Sequence, residues 1–180
     1  MKITRIDQFA PRNRTRLIRI STDTGIEGWA ESTLEGKPYS VPAAIDEIAD
    51  YLIGKDPLRI EHHWQMIYRA SFFRGGAHNM SALAGIDAAL WDIAGKHYGV
   101  PSYMLMGGNV RDRIRVYAHW GIRDLSDEGL EASRDRLTML QKSGYTAYKA
   151  GPAGNWRAHE PPAVIDKFVK AAYMMREWVG

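Results

Sequence analysis

Residues 113–180 alternate between strand-like and helix-like segments, and this order limits the possible folds more than any other feature of the chain. Residues 113–121 and 145–151 are typical of strands, whereas 126–143 and 162–178 have the apolar spacing of amphipathic helices. Strands that alternate with helices over short turns predict a parallel sheet. Because a closed (β/α)8 barrel takes about 250 residues, this region predicts only the first two β/α units of an incomplete TIM-type barrel.

The first part of the chain predicts an α+β domain instead. Residues 2–9, 15–21 and 26–31 alternate polar and apolar side chains in the manner of strands. We therefore predict a three-stranded antiparallel meander, with Ile18 and Ile20 together on one face.

Three helical patterns follow the predicted strands. Ser40 is the candidate N-cap of the first helix, Asp56 opens the second, and Asn79 or Ser81 caps the third, which has the longest apolar stripe. A polar junction at 110–113 marks the predicted boundary. It divides the chain into an N-terminal α+β domain, 1–112, and the start of the barrel, 113–180.

Composition narrows the classes of function. The 24 Lys and Arg against 21 Asp and Glu give a net charge of +3 without a basic block, so we expect no nucleic-acid partner. No apolar run approaches the roughly 18 residues of a membrane span, so we expect no membrane partner. The chain has no Cys, which excludes disulfides and thiolate metal sites and is compatible with the cytoplasmic location that we expect.

Several segments carry a resemblance to a known family. They are 23–25, 28–31, 51–57, Tyr68-Arg69-Ala70-Ser71-Phe72-Phe73-Arg74-Gly75-Gly76, residues 80–96 (M-S-A-L-A-G-I-D-A-A-L-W-D-I-A-G-K), 105–108 and 110–113. With them the chain resembles the mandelate racemase-like acid-sugar dehydratases of the enolase superfamily, and within these the galactonate dehydratases.

The resemblance implies an enolase-like capping domain over a barrel that binds Mg²⁺. It implies a hydro-lyase reaction on a small sugar acid: a proton α to the carboxylate is abstracted, the metal stabilises the enediolate, and the β-hydroxyl leaves to give a 2-keto-3-deoxy acid. It also implies that the metal ligands and the catalytic acid and base lie beyond Gly180. We therefore assign no catalytic residue and no metal ligand within this chain, and we expect the chain alone to bind no Mg²⁺.

Lys149 is the residue that matches a functional position of the family. Racemase-like members end the second barrel strand in Lys-x-Lys, and the corresponding residues here are Lys149, Ala150 and Gly151. Gly151 replaces the lysine that carries the base, which favours a dehydratase whose base lies on later strands. Lys149 would then contact the substrate carboxylate; the alternative is a lysine exposed to solvent at a strand end.

Three further residues are candidates for substrate binding. His119 and Trp120 end the first predicted barrel strand, where barrel sites form, and the alternative is that they fill the barrel mouth. Arg74 precedes the pair Gly75–Gly76 and would clamp a carboxylate with two hydrogen bonds, unless it pairs with a surface acid.

Other ionisable pairs are better explained by structure. Asp87 and Asp92 are five positions apart on the third helix and therefore about 140° out of phase, so we expect an interdomain pair for Asp87 and a surface acid for Asp92. His62 and His63 are adjacent and point to different sides of a helix, which does not suit a metal site.

Several functions and an assembly state remain open. The chain is the N-terminal portion of an acid-sugar dehydratase for galactonate or for gluconate, mannonate or galactarate, or else a catalytically inactive truncated fragment, or a module that closes by pairing with other copies. An open strand edge and an uncovered apolar face at Leu130, Leu137 and Leu140 predict a homo-oligomer.

Overall fold

The computed structural model describes residues 1–12, 14–151 and 159–180. Contacts divide the chain into two compact units, Met1–Val110 and Arg111–Gly180. The assignment of 1–112 and 113–180 as domains stays a prediction, with its boundary close to this division. In the described part of the chain, no helix is both long and apolar enough to cross a membrane.

The first unit opens with the predicted meander. Its strands are β1 (Ile3–Arg12), β2 (Thr15–Thr22) and β3 (Glu27–Glu31), which pair antiparallel in the order β1-β2-β3. Ile18 and Ile20 are fully buried on the inner face of the sheet. The predicted fold of this part of the chain, a three-stranded sheet with helices, is therefore confirmed.

Among its described residues, four helices complete this unit: α1 (Ser40–Leu52), α2 (Ile60–Ala70), α3 (Ala77–Tyr98) and α4 (Ser102–Leu105). The core lies between the sheet and the helices, and α3 supplies its central stripe, with Leu83, Ile86, Leu90 and Ile93 buried. The long apolar pattern of the sequence therefore marks the helix that organises the unit.

Two glycines let α3 approach the sheet closely. A Cβ at Gly28 on β3 would overlap the backbone carbonyl of Ala89, and one at Gly85 on α3 would lie 2.6 Å from the Cβ of Ser32. Neither position has room for a side chain, so the contact between helix and sheet depends on both glycines.

The predicted cap of the first helix and the predicted start of the second are wrong. Ser40 is the first residue of α1, and the N-cap position belongs to Tyr39, whose side chain makes no capping bond. Asp56 precedes the helix that we expected it to open: its Oδ1 accepts a hydrogen bond from the N–H of Leu58 at 3.1 Å, and α2 begins at Ile60. The short Asp side chain stabilises a turn here because it reaches the backbone two residues further on.

The start of α3 also differs from the prediction. The helix begins at Ala77 with Gly76 as its N-cap, so Asn79 and Ser81 lie inside the helix. Gly75 and Gly76 have φ values of 74° and 79°. These left-handed conformations turn the chain into the helix without a side-chain cap, because glycine adopts them without steric cost.

The described residues of the second unit form two β/α units. Its elements are β4 (Ala118–His119), α5 (Asp127–Lys142), β5 (Tyr148–Lys149) and α6 (Pro162–Val179), and β4 and β5 are parallel. The strands are much shorter than the predicted 113–121 and 145–151. Within the described residues, β4 and β5 pair only with each other. Their ladder consists of two residue pairs, Ala118 with Tyr148 and His119 with Lys149.

Both helices of this unit cover one face of the strands. Ser126 caps α5, since its side-chain oxygen accepts a hydrogen bond from the N–H of Gly129 at 3.2 Å.

Leu137 is buried, and Leu130 and Leu140 pack against the same cluster. The expected uncovered face at these leucines is therefore wrong, because the strands and α6 cover it.

Candidate functional site

The strand ends of the second unit bring two predicted binding residues together. His119 on β4 is the register partner of Lys149 on β5, and the N–H of Trp120 donates to the carbonyl of Lys149 at 3.1 Å. Because side chains alternate along a strand, His119 and Lys149 lie on the same face and Tyr148 on the opposite one. Both His119 and Lys149 are exposed.

Trp120 belongs to the opposite, helix-covered face. It is 5% exposed, its indole N–H donates to the carbonyl of Ser133 at 2.8 Å, and its ring meets Tyr148 edge to face at 5.8 Å. The ring of Trp178 on α6 lies 6.4 Å away. Trp120 therefore fills the core of this unit, and the structure separates it from His119.

Tyr117 joins the exposed face and was missed at the sequence level. Its ring centroid lies 6.2 Å from that of His119, and the residue is 56% exposed. The sequence contained the signal for Tyr117. It lies two positions before His119, and side chains two positions apart on a strand lie on the same face. Together with Lys149 they form the strand-end face: a phenol, an imidazole and an ammonium group, which bind anionic and hydroxyl oxygens.

Gly151 leaves open the position of the family's second lysine. A Cβ placed on Gly151 would meet no atom of the described residues within 4 Å, and the backbone does not require glycine there. Glycine at this position is therefore not imposed by crowding among the described residues.

The strand-end face offers no carboxylate to a hard cation. Among residues 1–12, 14–151 and 159–180, no group of three or more His, Asp or Glu side chains could hold a metal ion. Mg²⁺ requires several convergent oxygen ligands, so the described residues do not fit this ion.

Arg74 lies in the other unit, on the segment between α2 and α3. Phe72 and Phe73 beside it are 92% and 82% exposed, and Arg74 is exposed as well. The two glycines that follow, with positive φ, end this segment. A cavity of about 130 Å³ next to it is lined by Tyr68, Asn79 and Glu47 among others.

Asp92 is more than the surface acid that the sequence suggested. Its Oδ2 accepts hydrogen bonds from the backbone N–H of Trp29 at 2.8 Å and from Lys96 Nζ at 2.7 Å. Lys96 also donates to the carbonyl of Glu27 at 2.6 Å. The two side chains of α3 thus satisfy backbone groups at the edge of β3.

Burial raises the pKa of the Asp87 carboxyl, Glu61 raises it further, and a hydrogen bond from Trp91 opposes both. The interdomain pair expected for Asp87 stays a prediction.

His63 is buried, with Nε2 2.8 Å from the carbonyl of Asp56 and Nδ1 3.0 Å from the Tyr51 hydroxyl. Both ring nitrogens therefore have structural partners, whereas His62 is exposed.

Comparison with families and relatives agrees with this architecture. Residues 10–107 match the N-terminal domain of the mandelate racemase / muconate lactonizing enzyme family. A D-galactonate dehydratase of Pectobacterium atrosepticum is 54% identical over 180 residues, which is 100% of this chain and 46% of that protein. The chain thus spans about half the length of the curated relatives it matches.

Solved structures of the enolase superfamily share the fold. An Agrobacterium radiobacter enolase, described as a candidate galactarate dehydratase with bound sodium and L-malate, has a TM-score of 0.82 at 32% identity over 100% of this chain and 46% of its own. A Pantoea ananatis enolase with bound D-gluconate and magnesium has a TM-score of 0.71 at 37% identity, covering 83% and 36% of the two chains.

The family match covers more than half of the chain and includes the end of β1, all of β2 and β3, and the helices that pack on the sheet. The Agrobacterium structure aligns with 100% of this chain and the Pantoea structure with 83%. The chain therefore belongs to the mandelate racemase / muconate lactonizing enzyme family of the enolase superfamily.

Proposed function

We propose that this chain is the N-terminal part of a magnesium-dependent acid-sugar dehydratase that acts on D-galactonate or a close stereoisomer. The observation that carries the proposal is the 54% identity with a D-galactonate dehydratase along all 180 residues. The proposed partners are a small sugar acid and further copies of the same chain.

The proposed reaction removes water from the sugar acid. A base takes the proton α to the carboxylate. The electron pair of the broken C–H bond delocalises into the carboxylate group, which forms the enediolate. The β-hydroxyl then leaves with a proton as water, which gives a 2-keto-3-deoxy acid. In the whole enzyme, Mg²⁺ would stabilise the charge of the enediolate. Its ligands would lie outside the described residues, and the magnesium bound with D-gluconate in the Pantoea structure supports its use.

The strand-end face would bind the substrate without carrying out the proton transfer. Lys149 would contact the carboxylate with its ammonium group, and His119 and Tyr117 would hydrogen-bond to substrate oxygens. Gly151, which follows β5, has no side chain that could act as a base. This strand end would therefore orient the sugar acid and would not take its α-proton. Arg74 would bind a further anionic or hydroxyl oxygen from the exposed segment between α2 and α3.

A chimaeric enzyme tests the proposal. Residues 1–180 are joined to the remaining part of the Pectobacterium relative, and dehydration of D-galactonate is measured with and without Mg²⁺. We expect magnesium-dependent formation of the 2-keto-3-deoxy acid, with galactonate preferred over gluconate, mannonate and galactarate. A folded chimaera that dehydrates none of the four acids would refute the proposed dehydratase function. Preference for another of the acids would refute D-galactonate as the substrate.

The 180-residue chain serves as the comparison in the same assay. We propose that it is inactive, because its strand ends offer no carboxylate to a metal ion. Dehydration by a chain of verified mass would show that this view of the isolated chain is wrong.

A further inference from the structure

The two edges of the three-stranded sheet are treated differently by the rest of the unit. At β3, the N–H of Trp29 is bound by Asp92 and the carbonyl of Glu27 by Lys96. These contacts occupy backbone groups that another strand would need for pairing. Side chains of α3 therefore protect this edge.

The edge at β1 is open along most of its length. Ile3 exchanges two hydrogen bonds with the turn after α1: its N–H donates to the carbonyl of Lys55 at 2.9 Å, and its carbonyl accepts from Gly54 at 2.8 Å. Between Thr4 and Ala10, no hydrogen bond within the described ranges reaches the backbone of β1 from outside the sheet. This stretch offers unpaired donors and acceptors to an additional strand.

Two opposite charges stand on the outer face of this open edge. Arg5 Nε lies 2.9 Å from Asp7 Oδ2, and the Arg5 side chain is 60% exposed. Arg19 on β2 also donates to Oδ2, with its Nη2 at 2.8 Å. All of these contacts use Oδ2, and among the described residues none reaches Oδ1 of Asp7, which faces a cation approaching the edge.

We propose that β1 is an interaction surface for β1 of a second copy, paired antiparallel about a two-fold axis at Ile6. This axis places Arg5 of each copy opposite Asp7 of the other, so that two cross-strand pairs bring opposite charges together. An axis at Asp7 would instead oppose two carboxylates. The charges therefore select both the occupant and the register of the pair, and the result is a six-stranded sheet whose outer edges are protected by Asp92 and Lys96.

Association of the unmodified chain is the first test, and it does not depend on the proposed enzymatic function. We expect sedimentation velocity to show a concentration-dependent dimer, and hydrogen exchange to show protection of residues 4–10 that increases with concentration. A monomer at every concentration, with exchange in β1 that does not change, would overturn the proposal and would mean that the charges keep the edge unpaired.

Charge reversal tests the register. Arg5→Glu should weaken the dimer by about tenfold, because symmetry turns two attractive pairs into two repulsive ones. Arg14→Glu is the matched control: Arg14 is an exposed arginine with an acidic partner, Glu35, and does not face the proposed pair. Equal dimerisation of Arg5→Glu and the unmodified chain, or equal weakening by both variants, would overturn the assignment.

Mixing two variants gives the sharpest test. Asp7→Lys should also weaken self-association, but a mixture with Arg5→Glu should recover it, since both cross-strand pairs again join opposite charges. Circular dichroism checks that each variant is folded; if Asp7→Lys is not, the hydrogen exchange of the unmodified chain and the Arg5→Glu comparison decide. Failure of two folded variants to recover association, or association only after another protein is added, would refute the proposed pair.

Discussion

Asp92 on α3 accepts a hydrogen bond from the backbone N–H of Trp29 on β3, 63 positions earlier in the chain, at 2.8 Å. The same oxygen receives Lys96 Nζ, and Lys96 reaches the carbonyl of Glu27. An i, i+4 pair that would contribute little on a free helix surface thus binds the sheet edge to the helix. It fixes α3 to β3 at the place where the sheet would otherwise expose a donor and an acceptor.

Replacing Asp92 should therefore destabilise the first unit. We expect Asp92→Ala to lower the free energy of unfolding by about 1–3 kcal/mol, because the N–H of Trp29 loses its acceptor. Asp92→Asn is the control: it retains an acceptor oxygen and loses only the exposed ion pair with Lys96, worth about 0–1 kcal/mol. Urea unfolding followed by tryptophan fluorescence measures both, and equal effects of Ala and Asn would contradict the role of the hydrogen bond.

Gly28→Ala should destabilise the contact between β3 and α3. The added Cβ would overlap the backbone carbonyl of Ala89, which cannot move without the helix. We expect a loss of about 1–3 kcal/mol or more in thermal or urea unfolding. Gly151→Ala is the matched control, since its Cβ meets no atom within 4 Å in the part of the chain that the structure describes. A Gly28→Ala chain as stable as the control would show that the helix–sheet distance is adjustable.

Acidification should weaken the first unit through His63. Burial lowers the pKa of this imidazole, the hydrogen bond to the carbonyl of Asp56 partly opposes the shift, and His62 and Arg59 lower the pKa further. Because the folded chain favours the neutral ring, its contribution to stability is complete above the unfolded pKa of about 6.5 and is lost as the pH falls below it.

The measurement is the unfolding free energy between neutral pH and pH 5. His63→Gln, which can still hydrogen-bond but does not titrate, should show a smaller decrease than the unmodified chain. His62→Gln is the control, since His62 is exposed. If His63→Gln retains the full decrease, the titrating group is another one.

Lys149 can be tested in the chimaera described above. Lys149→Ala should lower kcat/KM by about 10–100-fold, because a charged hydrogen bond to the substrate carboxylate is worth about 1.5–3 kcal/mol. Exchange of the α-proton with solvent should persist, since we propose that the catalytic base lies outside the described residues. Lys142→Ala on α5 is the control for removing an exposed lysine charge. Unchanged kinetics for Lys149→Ala would leave this residue as a solvent-exposed lysine at a strand end.

Periodicity predicted much of this fold because the signal is local. The alternation around Ile18 and Ile20 defines a strand with one buried face, and the spacing of Leu83, Ile86, Leu90 and Ile93 defines a buried helix. The helix starts were predicted less well, because Asp56 and Ser40 can serve a turn or a cap equally. Whether such a residue stabilises a turn or caps a helix depends on how the neighbouring helix packs.

The sequence by itself determined the element order, the family resemblance and the positions of His119 and Lys149 at the ends of two strands. Only the tertiary structure decided that these two side chains are register partners, that Trp120 faces the helices, and that Asp92 holds the edge of β3. The physical reason is distance along the chain: a pattern of neighbouring residues encodes which face is apolar, whereas a hydrogen bond between remote segments exists only after packing has brought them together.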